Sequence, residues 1–126
     1  MNLAARTTRA GLAPLEFIPA ATDALQREST TEFGVVVDHS MRMAETHLGN
    51  QVPETVTLQR SARELGAVAA SAFGAGFGGA VWALVPETEA DAFLTRWAEN
   101  YRKRYRKAGK ESVFFLSRAG PHAYQF

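Results

Sequence analysis

The sequence predicts an α+β fold, a small antiparallel sheet with helices packed on one face. Three observations predict it. Apolar residues recur at helical spacing along residues 31–48 and 88–107. Two short apolar stretches flank a glycine-rich run and carry strand composition without helical period. Finally, the pieces run helix, helix, strand, glycine loop, strand, helix, strand, an order suited to helices gathered over one small sheet.

The first thirteen residues are weakly patterned, and residues 14–126 are read as one domain. Leu15, Phe17 and Ile18 form an apolar group bracketed by Pro14 and Pro19, either an edge strand or the lead-in to a helix. Ala20 to Arg27 reads as a short helix. From Thr31 to Leu48 the residues Phe33, Val36, Val37, Met41, Ala44 and Leu48 keep helical spacing, and Gly49-Asn50 stops the helix. A further helix starts at Pro53, since proline suits a first helical turn, with Glu54 complementing the dipole. Leu58, Ala62 and Leu65 are its buried stripe, and Gly66 ends it.

The period then changes. Ala67 to Ala72 is small and apolar, and Ala80 to Val85 (AVWALV) favours a strand ended by Pro86. Thr88 to Lys107 is the clearest helix: Thr88 is the expected cap, Phe93, Leu94, Trp97, Tyr101 and Tyr105 line one face, and Gly109 closes it. Ser112 to Ser117 (SVFFLS) is expected to be a last strand.

Composition bounds the function. With 126 residues the chain can bury about two-thirds of its unfolded surface in one core. Its 46% hydrophobic and 21% charged residues match an ordinary globular protein rather than a disordered one. Zero cysteines exclude disulfide scaffolds, cysteine–zinc sites, iron–sulfur clusters and thiol catalysis. No apolar run approaches the ~20 residues of a membrane span, and the first residues lack a secretory signal's apolar stretch. A cytoplasmic location and no membrane partner are therefore expected. A net charge of +1 argues against a nucleic-acid partner. The run Arg102, Lys103, Arg104, Arg106, Lys107 and Lys110 holds six of the fourteen cations, but Tyr101 and Tyr105 continue the apolar stripe. The run is read as a solvated helix end that the dipole favours.

Chemistry concentrates at Gly74-Ala75-Gly76-Phe77-Gly78-Gly79. Four glycines in six positions let the backbone approach a ligand with φ > 0, and successive N–H groups there form a concave nest for an anion. A plain glycine hairpin is the simpler reading. The loop is neither a P-loop, since it lacks a Gly-Lys-Ser/Thr ending, nor a dinucleotide fingerprint, since it leads into a strand. His39 and His47 lie two turns apart, too far for a helical metal pair, so no metal site is assigned. His122 sits in the tail and is assigned nothing.

The segment ASAFGAGFGGAVWALV (Ala70 to Val85) resembles the third conserved motif of the GHMP sugar kinases, in their galactokinase-like branch. The likeness extends to FGVVVDHSMRMAETHLGNQVPETVTLQRSARELGAVAAS upstream and to ADAFLTRWAENYRKRY and FFLSRAGP downstream. It implies a ferredoxin-like C-terminal kinase domain whose glycine loop helps hold the phosphate region of the active site. Gly74, Ala75, Gly76, Phe77, Gly78 and Gly79 would form that loop. Ser71, Asn50, Gln51 and Glu54 become possible substrate-side residues, although the last three also suit turn and capping roles. Here the lead-in is Ser71-Ala72-Phe73, Ala75 interrupts the glycines and Ala80 follows them, departures that bear on the substrate rather than the loop.

The family's catalytic aspartate, sugar-binding motif and serine-rich nucleotide loop belong to an N-terminal domain, and nothing in these residues resembles them. The expectation is a C-terminal half that contributes no catalytic residue and is inactive alone. ATP and magnesium enter only through the resemblance, and neither is assigned to this chain by itself. The expected partners are a complementary N-terminal kinase domain or a second copy, together with a small sugar or phosphate ligand. The other reading is a freestanding, non-catalytic ligand-binding or self-association module that keeps the fold.

Overall fold

The computed structural model describes residues 14–73 and 78–118. The expectations for residues 1–13, for Gly74 to Phe77 and for the tail with His122 lie outside the described residues. Helix α1 runs Pro14–Gln26 and α2 Thr30–Met43, followed by a π-helical turn Ala44–Leu48. Helix α3 runs Pro53–Glu64, strand β1 Ala69–Ala72 and strand β2 Val81–Leu84. A 3-10 turn at Glu87–Glu89 leads into α4 (Ala90–Arg104), and α5 is Arg106–Glu111. The chain is thus α+β with a two-stranded antiparallel sheet among the described residues.

The apolar group at Phe17 and Ile18 is helical, and α1 continues through Pro19. Pro19 lies past the four N-terminal residues whose N–H groups have no helical partner, so it removes one backbone bond from the helix. Buried Phe17 and Ala24 dock α1 on α2. Ser29 caps α2, its hydroxyl accepting the Glu32 N–H at 3.3 Å. The helix loosens where the sequence shows no break: Thr46 donates to the Arg42 carbonyl at 2.8 Å, a back-bond that competes with the helical ladder. Gly49, at φ +59°, stops it as expected. Pro53 opens α3 and Gly66 follows its end, also as expected.

In the sheet, Ala69 pairs with Leu84, Ala70 with Ala83, Ser71 with Trp82 and Ala72 with Val81. One step further the Phe73 N–H donates to the Ala80 carbonyl at 2.9 Å, which carries the pairing to both borders of the glycine-rich stretch. Helices α3 and α4 cover one face. Ala62, Ala67 and Ala70 are small enough for α3 to approach β1 closely, and Phe93 and Trp97 of α4 fill the remaining volume. The indole N–H of Trp97 donates to the Leu58 carbonyl at 3.0 Å, which orients the largest core side chain. Ser71, turned the other way by strand alternation, meets Met41 of α2.

Three expectations need correction. The clearest helix starts at Ala90 rather than Thr88, which lies inside the 3-10 turn, and no side chain caps it. It breaks at Tyr105 (φ −123°, ψ 84°), whose hydroxyl sits 3.0 Å from the Thr57 hydroxyl. Gly109 does not stop a helix; it lies inside α5, where an added Cβ would sit 2.8 Å from Arg102 Cα. Residues 112–117 form no strand. A strand is defined by a ladder partner, and this segment instead packs on α4: Phe114 meets Trp97 edge-on at 5.4 Å and Tyr101 at 6.0 Å.

Candidate functional site

The loop is held by its two ends. On the incoming side, β1 is fastened to two helices. Arg63 of α3 donates to the Ala67 and Val68 carbonyls, both at 2.6 Å, and its Nε meets Asp38 of α2 at 3.0 and 3.1 Å. Gln59 of α3 donates to Asp38 at 2.9 Å and to the Ala70 carbonyl at 3.2 Å. Backbone carbonyls of an edge strand are thereby satisfied by side chains instead of a third strand. Gly34 makes the arrangement possible: a Cβ there would lie 2.0 Å from the Val68 carbonyl oxygen and 3.2 Å from the Arg63 guanidinium. None of Asp38, Gln59, Arg63 and Gly34 stood out in the sequence. A buried-facing Asp with Arg and Gln one turn apart on the next helix was the available signal.

On the outgoing side, Gly78 (φ +109°) and Gly79 (φ +99°) take conformations that side chains resist. A Cβ on Gly78 would lie 3.8 Å from a methyl of Val52. The outgoing arm of the loop therefore lies beside the turn that carries Asn50, Gln51 and Glu54, one methyl group short of van der Waals contact, a juxtaposition of segments 26 residues apart. In that turn Gln51 donates to the Asn50 side-chain oxygen at 3.2 Å. The Thr55 hydroxyl accepts the Val52 N–H at 3.3 Å and has Gln51 Oε1 and the Val52 carbonyl, each at 3.0 Å, as alternative acceptors. Asn50 and Gln51 thus take part in the turn's own bonding. Glu54 stands on the first turn of α3. Burial first, then the charges of Glu54 and Tyr105, push the Tyr101 phenol up.

Ser71 points elsewhere, into an open cleft of about 200 Å³. Phe17 of α1, Val36, Val37 and Ser40 of α2, and Trp82 of β2 line it with Ser71. The Ser71 hydroxyl lies 3.9 Å from the Met41 sulfur, a weak contact. The structure therefore sets the loop's outgoing arm beside the Val52 turn but sends the Ser71 side chain toward α1 and α2.

The histidines do not converge. His39 on α2 has its pKa lowered, first by burial and then by Arg42, with Asp38 opposing. His47 is exposed in the π-helical turn beside Thr46, 2.8 Å from its hydroxyl. Among the described residues no group of three or more His, Cys, Asp or Glu is placed to hold a metal. The cationic run lies exposed at the end of α4 and along α5. Arg102 stacks over Phe114 at 5.4 Å. No described helix is long and apolar enough to cross a membrane.

No curated protein matches the chain. The profile of the family described as GHMP kinases C terminal matches residues 21–103, about two-thirds of the chain. The matched stretch begins in α1, contains α2, α3, the β1–loop–β2 hairpin, and ends within α4. An α+β domain with a two-stranded antiparallel sheet agrees with that match, and the chain belongs to the GHMP kinase family as a C-terminal domain.

Proposed function

We propose that this chain supplies one half of the phosphoryl-transfer site of a galactokinase-like sugar kinase, with the other half coming from an N-terminal-type kinase domain. The observation that supports this reading is the nearness of the outgoing glycine arm to the Val52 turn, where a Cβ added at Gly78 would lie 3.8 Å from a Val52 methyl. It brings together the two segments that most resemble the galactokinase-like branch.

Phosphoryl transfer depends mainly on positioning and on neutralising charge over the transferred group. Backbone amides of Gly74, Gly76, Gly78 and Gly79 would donate to a phosphate of ATP as fixed dipoles, without moving a proton. The positive φ of Gly78 and Gly79 suits such an anion-facing nest. The fasteners at Arg63 and Gln59 would hold β1, and with it the loop's entry, at a constant position. ATP and magnesium are implied by the family resemblance alone. Asn50, Gln51 and Glu54 would border the sugar side.

The test is ATP consumption with galactose and related sugars. The reading expects no turnover by the chain alone and turnover when a complementary N-terminal half is added. Robust turnover by the pure chain overturns the half-site reading. Binding of ATP or sugar phosphates by the lone chain, with no gain from an added half, favours the freestanding module.

A further inference from the structure

The cations of the run from Arg102 to Lys110 are all exposed. Arg102 serves the fold: its Nε donates to the Gly109 carbonyl at 3.3 Å and its guanidinium covers the Phe114 ring. The other five, Lys103, Arg104, Arg106, Lys107 and Lys110, form no ion pair among the described residues. Glu99 and Glu111 stand in the same stretch of chain, and neither is bridged to them. Residues 1–13, 74–77 and 119–126 contain no Asp or Glu that could neutralise them. Glu16 belongs to α1, which docks on α2.

The fold concentrates these charges. Tyr105 breaks the helix, and α5 folds back so closely that a Cβ on Gly109 would lie 2.8 Å from Arg102 Cα. Cations from two helices therefore share one corner, and their mutual repulsion opposes folding. The helix dipole compensates at the end of α4, but Arg106 and Lys107 open α5, where a dipole disfavours cations. Charge kept against both effects fits an anion from outside the chain.

Position identifies the anion. The Tyr105 hydroxyl lies 3.0 Å from the Thr57 hydroxyl, and Tyr101 feels the Glu54 charge, so the corner adjoins the first turns of α3. Five residues, about 7.5 Å of helix rise, separate Thr57 from Val52. Val52 in turn lies beside Gly78 in the outgoing arm of the glycine loop. Corner and loop thus stand at the same end of the domain, the end at which the proposed site takes a nucleotide. Arginine forks and lysine ammonium groups both suit phosphate oxygens.

We infer that the corner formed by Lys103, Arg104, Arg106, Lys107 and Lys110 captures the polyphosphate chain of a nucleoside triphosphate and guides it toward the glycine loop. This role rests on the half-site reading above and adds to it a surface that the anion meets first. Exposed, long side chains hold phosphates loosely. The corner therefore speeds encounter, an effect of about 10- to 1,000-fold where charge of one sign is gathered, without retaining the nucleotide.

Calorimetric titration of the purified chain with inorganic tripolyphosphate, at low and at high salt, tests this. Binding that weakens as salt rises is expected. Arg106→Ala combined with Lys107→Ala should weaken it about tenfold, and Arg42→Glu on α2, an equal change of net charge, by less than about twofold. If the double variant fails to fold, Lys107→Glu takes its place against the same comparison. In a kinase reconstituted with an N-terminal half, the double variant should raise the KM for ATP more than it lowers kcat. Absence of binding, binding indifferent to the double variant, or equal weakening by Arg42→Glu overturns the inference. A DNA duplex that binds more tightly than tripolyphosphate and competes with it also overturns it, by making the corner a nucleic-acid surface. The titrations need no turnover, so they succeed or fail apart from the half-site reading, which the mixed-halves assay tests.

Discussion

Replacing Gly34 with alanine asks whether the fastening of β1 depends on a bare backbone at one position of α2. In an open helix the change would stabilise by about 1 kcal/mol through helix propensity. Here the new methyl would lie 2.0 Å from the Val68 carbonyl oxygen, which is backbone and cannot rotate aside. Moving α2 off β1 costs about 1–3 kcal/mol as overpacking. Retreat of the strand also weakens the Arg63 bond to that carbonyl, a charge-assisted bond worth about 1.5–3 kcal/mol. The sum, less the propensity gain, is a net loss of about 1.5–5 kcal/mol, a large share of a domain's usual stability. Urea unfolding monitored by tryptophan fluorescence measures it, with Gly49→Ala as the comparison. Gly49 has open space around a Cβ but φ +59°, so its substitution should cost only about 1 kcal/mol. A Gly34→Ala chain as stable as the natural one would refute the close-approach argument.

Other outcomes follow from the same contacts. His39 has a folded pKa below 6.5, so the unfolded chain binds its proton first on acidification. Its stabilising share is intact above the ordinary imidazole value and is lost as pH falls from there through the lower folded value. Thermal melts from neutral to mildly acid pH should show that decline, and His39→Gln should flatten it. Trp97→Phe removes the indole donor to the Leu58 carbonyl and should cost about 1–3 kcal/mol in urea unfolding. Gly78→Ala meets no clash, its Cβ lying 3.8 Å from Val52, but φ +109° strains it by about 1–3 kcal/mol. In a reconstituted kinase it should lower turnover far more than it lowers the melting temperature of the chain.

Legibility in the sequence followed how local each signal was. Pro53 and Gly66 bound α3 because proline and glycine act on their own backbone. The apolar stripe of α4 was legible for the same reason, since periodicity needs only one helix and one core. Where the outcome depended on a distant partner, the sequence misled. SVFFLS has strand composition, yet strands need ladders, and Phe114 finds Trp97 and Tyr101 instead. Tyr105 fits the stripe of α4 but leaves the helix to meet Thr57. In the candidate site, the positive φ of Gly78 and Gly79 was legible in the sequence, while the fastening of β1 by Asp38, Gln59 and Arg63 was not. Asp38 lies on α2 and Gln59 and Arg63 on α3, and they meet only where the two helices pack around β1. Nor could spacing alone reveal that Gly78 would come to rest beside Val52.

The most direct measurement is a phosphoryl-transfer assay of this chain mixed with a galactokinase-type N-terminal half, with ATP and galactose or a related sugar as substrates. Transfer in the mixture, absent from either piece alone and reduced by Gly78→Ala, is the expected result. Transfer by the chain unaided, or a complex with the N-terminal half whose turnover ignores Gly78→Ala, would contradict a loop that serves as half of the site.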